Sequence, residues 1–251
     1  MDSLREKWEV RARECGDRID GVLYRGLPPA LNQQLDEQHG VAVREQLLPL
    51  VPKGGLVLDV GCGYGRLSAL VLEARPDLRV VGVDLAHPYA LLFQQRLGQD
   101  GICARFSALP FPVATFDALI ACTVLMYAAP LERESVLRRM LETLKPGGHA
   151  LLVDPSSEFM RLAALAAPSS RDTPTGGHWF THAEYARLGQ LGTTVKTGGL
   201  PVFSLLLPLL LVLSRLGVSP AWLLRLTARL DRRWSRFARW SIHRWMVVRR
   251  T

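Results

Sequence analysis

The chain of 251 residues is 48% hydrophobic and 22% charged. That composition fits one large domain, or one domain with a sizeable insertion, and disorder is not the default reading. Its net charge of +8 is uneven: from Arg215 onward ten arginines face the single acid Asp231, leaving +9 there and −1 for residues 1–214. A tail of that sign points to an anionic surface, membrane or nucleic acid. Cys15, Cys62, Cys103 and Cys122 are scattered, with no CxxC pair and no metal-ligand spacing, and MDSLREKWEV lacks the apolar stretch of a secretion signal. A reduced, cytoplasmic protein without a metal centre is expected.

In chain order, residues 1–50 read as a helical cap. Helices are predicted over 2–15 and 33–50, joined by GVLYRGLPPALN, a loop marked by its glycines and paired prolines. After Pro52-Lys53-Gly54-Gly55 come the apolar runs LVLDV (56–60), LRVVGVDL (78–85), GICARF (101–106), FDALIA (116–121) and HALLVD (149–154). YGRLSALVLEA, PYALLFQQRLG and LERESVLRRMLETL lie between them, with apolar residues three and four apart. Continuous apolar strands alternating with helices predict a doubly wound α/β sheet covered on both faces, the core spanning 51–200. THAEYARLGQLG then reads as a short helix, TTVKTGGLPV as a strand and SIHRWMVVRR (241–250) as a closing strand. Residues 201–240, between those strands, are too long for a hairpin and must be a helical insertion.

The first strand runs into Gly61-Cys62-Gly63-Tyr64-Gly65 and then a helix. In an α/β sheet, ligands bind where strand carboxyl ends meet helix amino termini, and glycines let the backbone approach them. Asp84 falls at the tip of the next strand, placed to take both hydroxyls of a ribose; its alternative role is a helix N-cap. A dinucleotide fingerprint would want a small residue where Arg66 stands, and a phosphate-binding loop would need a following GK[ST], which is missing.

LDVGCGYG, VVGVDLA, LPFPVATFDALIACTVLMYA and LKPGGHALLVDP, in that order over residues 56–155, resemble the motifs of the class I S-adenosylmethionine-dependent methyltransferases, in particular the ubiquinone/menaquinone-biosynthesis type. The resemblance implies a Rossmann-like, seven-stranded, mostly parallel sheet with its last strand antiparallel, carrying N-terminal helices and a C-terminal helical insertion. It implies S-adenosylmethionine as cofactor and S-adenosylhomocysteine as product. Asp59, Gly61, Cys62, Gly63 and Gly65 would hold the methionine part, Asp84 the ribose, and Leu85, Ser107 and Ala108 the adenine. Cys122 and Thr123 would floor the sulfonium region. Met126 and Tyr127 would face the acceptor, unless they only pack in the core.

The stretch richest in acid–base candidates is GGHWFTHAEYARL. His178, in the approach to its helix, is the first candidate general base and Trp179 a substrate contact; Thr181 and Glu184 read as a capping box. His39 and Tyr127 are further catalytic candidates, and Tyr24 a further substrate contact. In the insertion, the apolar run at 200–213 is too short to span a bilayer of about 20 residues. Beyond it, Arg225, Arg229, Arg232, Arg236 and Arg239 share one helical face, and Leu223, Leu226, Leu230, Trp234 and Phe237 the other. That pattern suits either an anionic membrane interface or an apolar face packed on the sheet. It favours a hydrophobic or lipid-like acceptor and argues against nucleic acid, since no aromatic single-strand platform is evident. The rival readings are an RNA or protein methyltransferase that docks through the arginine stripe, and a non-catalytic Rossmann-like nucleotide-binding module.

Overall fold

A computed structural model describes residues 2–25, 27–159 and 177–251. Seven strands form one sheet: β1 (Leu56–Val60), β2 (Arg79–Asp84), β3 (Asp100–Cys103), β4 (Phe116–Cys122), β5 (Leu144–Pro155), β6 (Thr193–Gly199) and β7 (His243–Arg249). Their order is β3-β2-β1-β4-β5-β7-β6. β1 to β5 pair in parallel, and β7 is antiparallel to both β5 and β6. The doubly wound, seven-stranded sheet with an antiparallel last strand is thus observed. The pairing of β4 with β5 shifts register early and becomes regular from His149, where the sequence placed the strand.

Alternate residues of each buried strand feed opposite faces, as the two-residue repeat demands. Val57, Val80, Ala118 and Ile120 pack with Val71 and Phe93 on one side, and Leu58, Val83, Leu119 and Ala121 with Leu137 and Met140 on the other. These faces are covered in part by α3 (Arg66–Ala74), α4 (His87–Leu97), α5 (Arg133–Glu142) and α6 (His182–Leu188). Strand order reverses between β1 and β4, so their carboxyl ends part and leave a crevice there.

At the amino-terminal end, α1 (Asp2–Cys15) matches its expected limits, while α2 (Pro29–Ala42) starts earlier than 33. Pro29 explains the early start, because its fixed φ suits the first helical position. The expected helix to residue 50 continues as a π turn, Val43–Leu47, and a 3-10 turn, Leu48–Leu50.

Between β6 and β7 the chain leaves the sheet as α7 (Pro201–Arg215) and α8 (Ala221–Trp234). The helical insertion expected over 201–240 loses its α-helix at Trp234, and Ser235–Trp240 follow as a 3-10 segment broken at Phe237 (φ −88°, ψ 39°). The buried face of α8 is Leu223, Leu224, Thr227 and Asp231, so Leu223 is the one member of the leucine–tryptophan stripe within it. Asp231 accepts hydrogen bonds from the Val202 and Phe203 N–H groups (2.7 and 3.2 Å), capping α7. Leu226, Trp234 at the end of α8 and Phe237 beyond it are exposed to solvent. Among the described residues, no helix is long and apolar enough to cross a membrane.

Candidate active site

β1 ends beside the crevice, and the glycine turn carries the chain into α3. The N–H groups of Gly61 and Cys62 both donate to the Val83 carbonyl (2.7 and 3.0 Å), tying the turn to β2. Gly61 and Gly63 have φ of +69° and +53°. A Cβ on Gly61 would lie 2.3 Å from Val124 Cγ2. The turn therefore needs glycine both for its left-handed backbone and for close approach.

Asp84 ends β2. Its Oδ1 accepts from the Ala86 N–H (2.8 Å) and its Oδ2 from the Gly63 N–H (2.9 Å). It is not the α4 cap, which is Ala86. Asp59, near the end of β1, accepts from the Ser68 hydroxyl (2.6 Å). Burial pushes the carboxyl of Asp84 up to about 6, against the pull of its N–H donors. Burial does the same to Asp59, to about 6, opposed by Ser68 and Arg66. Both carboxyls face one cleft with about 780 Å³ of open space. Two carboxylates made costly by burial are a seat for a cation and for hydroxyl donors, each of which lowers that cost.

The cleft is also lined by Gly61, Cys62, Gly63, Leu85, Cys122, Thr123 and Tyr127. So nine residues named from the sequence converge on it. Thr123, past the end of β4, has φ +58°, held by its N–H to the Val153 carbonyl (2.7 Å) and its hydroxyl to the Cys122 carbonyl (2.7 Å). A β-branched residue there is strained, and such strain collects at functional sites.

The other named residues lie elsewhere. Gly65 (φ +85°) caps α3 outside the lining, and a Cβ there would meet Leu97 at 2.6 Å, so its role is helix–helix packing. Ser107 and Ala108 fall beyond the cleft, whose wall is made by Ala104 and Phe106. β3 ends at Cys103 and the chain turns away, so only the first residues of the loop reach the site. Met126 is buried in the core and its N–H donates to Asp154 (3.2 Å). His178 and Trp179 also lie outside the lining. Their carbonyls accept from the buried Arg133 (2.7 and 3.4 Å), and the His178 N–H donates to the Met126 carbonyl (2.8 Å). Thr181 does cap α6, accepting from the Glu184 N–H, but the Glu184 carboxylate goes to Arg133 (2.6 Å) rather than completing a capping box.

His39 and Tyr24 belong to a buried chain behind the floor. Arg66 donates to His39 Nδ1 (3.1 Å), His39 Nε2 meets His243 Nδ1 (2.8 Å), and His243 Nε2 meets the Tyr24 hydroxyl (3.0 Å). Because arginine only donates, neutral His39 carries its proton on Nε2 and gives it to His243, whose Nε2–H then points at Tyr24. Burial, then Arg66 and His243, hold His39 well below the usual imidazole range; burial and Arg66 push His243 down to about 3. Both nitrogens of His39 are engaged, so it offers no lone pair to an acceptor. The sequence did not single out His243, a histidine within an ordinary strand pattern.

The sequence marked residues 1–50 as a cap but did not single out the side chains that cover the cleft. Leu4 and Trp8 of α1 and Val22 line the cleft, and Trp8 stands edge-on to Tyr127 (centroids 5.6 Å apart, 88°). Trp8 and Leu4 lie four residues apart on one face of a helix otherwise rich in charge, the spacing that signals a buried stripe.

Residues 57–148 match a family of methyltransferase domains. The chain is 34% identical over 106 residues to a tRNA (carboxymethyluridine(34)-5-O)-methyltransferase of Xenopus tropicalis, covering 42% of this chain and 16% of that one. It is 30% identical over 118 residues to the ubiquinone/menaquinone biosynthesis C-methyltransferase of Geobacter sulfurreducens, covering 44% and 45%. The chain thus spans less than half the length of these curated relatives. In fold it is similar to magnesium protoporphyrin IX methyltransferase from Synechocystis PCC 6803, solved with bound S-adenosylhomocysteine (TM-score 0.64, 16% identity, 99% and 98% of the two chains). Motif order, sheet topology and domain match agree: residues 57–148 form a methyltransferase domain of the class I, S-adenosylmethionine-dependent type.

Proposed function

We propose that the protein transfers a methyl group from S-adenosylmethionine to an oxygen or carbon of a hydrophobic or lipid-like small molecule. The observation that carries the cofactor half is the pair of buried carboxyls, Asp59 and Asp84, flanking a left-handed glycine turn in one cleft. Bound there, the cofactor supplies a methyl group already activated on a sulfonium. In this reading Asp59 receives the ammonium of the methionine part, and the Gly61-Cys62-Gly63 backbone lies against it. Asp84 takes the ribose hydroxyls, while Leu85, Ala104 and Phe106 enclose the adenine. Cys122 and Thr123 form the floor. Trp8 and Leu4 exclude water from above, which keeps the reacting groups aligned and undiluted. Tyr127 is the one catalytic candidate in the lining, and its phenol is assigned to orient the acceptor. Asp84 and Asp59 fit the cofactor's charge, and an NAD reading is opposed by Arg66 at the position where helix–strand packing wants a small residue.

The acceptor class rests on the apolar lining and on the leucine- and tryptophan-rich insertion beside the cap, where α7 packs on Leu23, Leu31 and Leu35. The likeness to the tRNA-modifying relative spans 106 residues, 42% of this chain and 16% of that one, which is too little of that protein to favour an RNA acceptor here. Thermal stabilisation by S-adenosylmethionine and S-adenosylhomocysteine but not by NAD tests the cofactor; absence of a shift contradicts it. Incubation with labelled cofactor and a lipid extract, against total RNA, tests the acceptor, and label appearing only in RNA overturns it.

A further inference from the structure

The insertion presents a surface that the core does not need. α7 buries Phe203, Leu207 and Leu210 but leaves Leu205 (63% exposed), Leu209 and Val212 in solvent, and Leu216 follows at 71%. Across a groove from α7 stand Trp234, Phe237 and Trp240, each about half exposed, with Trp222 further along α8. Solvated aliphatic and aromatic side chains in one contiguous patch mark a contact surface rather than chance.

Charge says with what. Arg225, Arg229, Arg232, Arg233, Arg236 and Arg239 are all exposed around this patch. Among the described residues, only Arg232 has a carboxylate within 4 Å, Glu45 at 3.9 Å. The one acid of residues 201–251, Asp231, is turned inward to cap α7 and offers the surface nothing. Arg236 and Arg239 lie over Phe237 and Trp240 (5.1 and 5.5 Å to the ring centroids), so cation and ring are presented together at the rim. Guanidinium groups bordering tryptophan, phenylalanine and leucine match a bilayer interface, where rings sit at headgroup depth and arginine meets phosphate. A second copy meeting this face about a two-fold axis would oppose six arginines to six. An RNA would leave the aliphatic side chains of α7 without a role.

We propose that α7, α8 and the 235–240 segment dock in the plane of an anionic phospholipid bilayer. The surface is separate from the cofactor cleft, and the proposal stands whether or not the cleft transfers methyl groups.

Flotation of the full chain with vesicles of phosphatidylglycerol and phosphatidylcholine, against phosphatidylcholine alone, tests it. The wild type should float with the anionic vesicles at low salt and come off as salt rises. Each arginine at the surface is worth about fivefold in partitioning, about 1 kcal/mol. The R225Q/R229Q/R233Q/R236Q/R239Q variant should therefore lose at least a factor of about a hundred, with unchanged circular dichroism and an unchanged thermal shift by S-adenosylmethionine. L205S/L209S/F237S should keep a salt-labile attraction but detach at moderate salt. A wild type that ignores anionic vesicles overturns the proposal, as does a glutamine variant that floats equally well. So does a wild-type dimer that the serine variant abolishes, or displacement from vesicles by stoichiometric RNA.

Discussion

At Asp84 a single side chain closes the glycine turn and is assigned the ribose. Asp84→Ala removes charge-assisted hydrogen bonds of roughly 1.5–3 kcal/mol, so titration calorimetry should show cofactor affinity falling about ten- to a hundredfold. An unchanged dissociation constant would refute the assignment. Affinity should also depend on pH. Burial raises the Asp84 and Asp59 carboxyls to about 6, and if, as proposed, their ionised forms take the cofactor, binding weakens as pH falls from 7 to 5. The histidine pair predicts a loss of stability below about pH 6.5. An imidazole whose folded pKa lies below its unfolded value near 6.5 gives stability that is full above 6.5 and is lost as pH falls toward the folded value, about 3 for His243. His39→Gln with His243→Asn should flatten the fall in Tm between pH 6.5 and 4; a slope identical to wild type counts against the neutral pair. At Thr123 the expectation is the reverse of the usual one. Thr123→Gly relieves the +58° strain and should raise Tm by a few degrees, for about 1 kcal/mol, while a looser floor lowers turnover.

Among the elements, α8 shows how one hydrogen-bonding residue overrides a hydrophobic stripe. The apolar spacing of Leu223, Leu226, Leu230, Trp234 and Phe237 gives the face that periodicity would bury. The carboxylate of Asp231 instead fastens to the first N–H groups of α7 and carries Leu224 and Thr227 inward with it. Burial pushes that carboxyl up to about 6 despite both N–H donors. Asp231→Ala should cost about 1–2 kcal/mol, the usual value of a lost helix cap. It should also free α8 to rotate, which would appear as a blue shift in tryptophan fluorescence as Trp222 or Trp234 leaves water. No change in Tm or emission would mean that α8 is held by packing alone.

The molecule as a whole sets its cleft between parts far apart in sequence: the ends of β1, β2 and β4, the loop after β3, and α1 folded over them. Since Trp8 and Leu4 are the cover, W8A/L4A should raise the cofactor dissociation constant about tenfold, as expected for apolar burial worth about 1.4 kcal/mol, with little loss of the sheet's stability. An unaltered constant would make α1 a bystander. Tyr127→Phe separates orientation from packing: turnover should fall with cofactor affinity unchanged, because the ring against Trp8 is retained.

The sheet was legible because its determinants are local. Continuous apolar runs such as LVLDV, helical spacing in LERESVLRRMLETL, and glycines at positions 61, 63 and 65 each carry their own physical signal, and their order implies the crossover. That nine of the named residues line one cleft has the same origin, since most of them sit at a strand end or its turn, which neighbours in the chain define. What tertiary structure alone decided involves pairs distant in sequence. Whether Ser107 or Phe106 reaches the cleft depends on where the loop after β3 bends. Whether His39 is a base or an interior link depends on His243, 204 residues away. Which side of α8 meets water depends on a bond from Asp231 to Val202. Periodicity records that a helix has two faces; the choice between them belongs to the partner that pairs its polar groups, and only the folded chain supplies that partner.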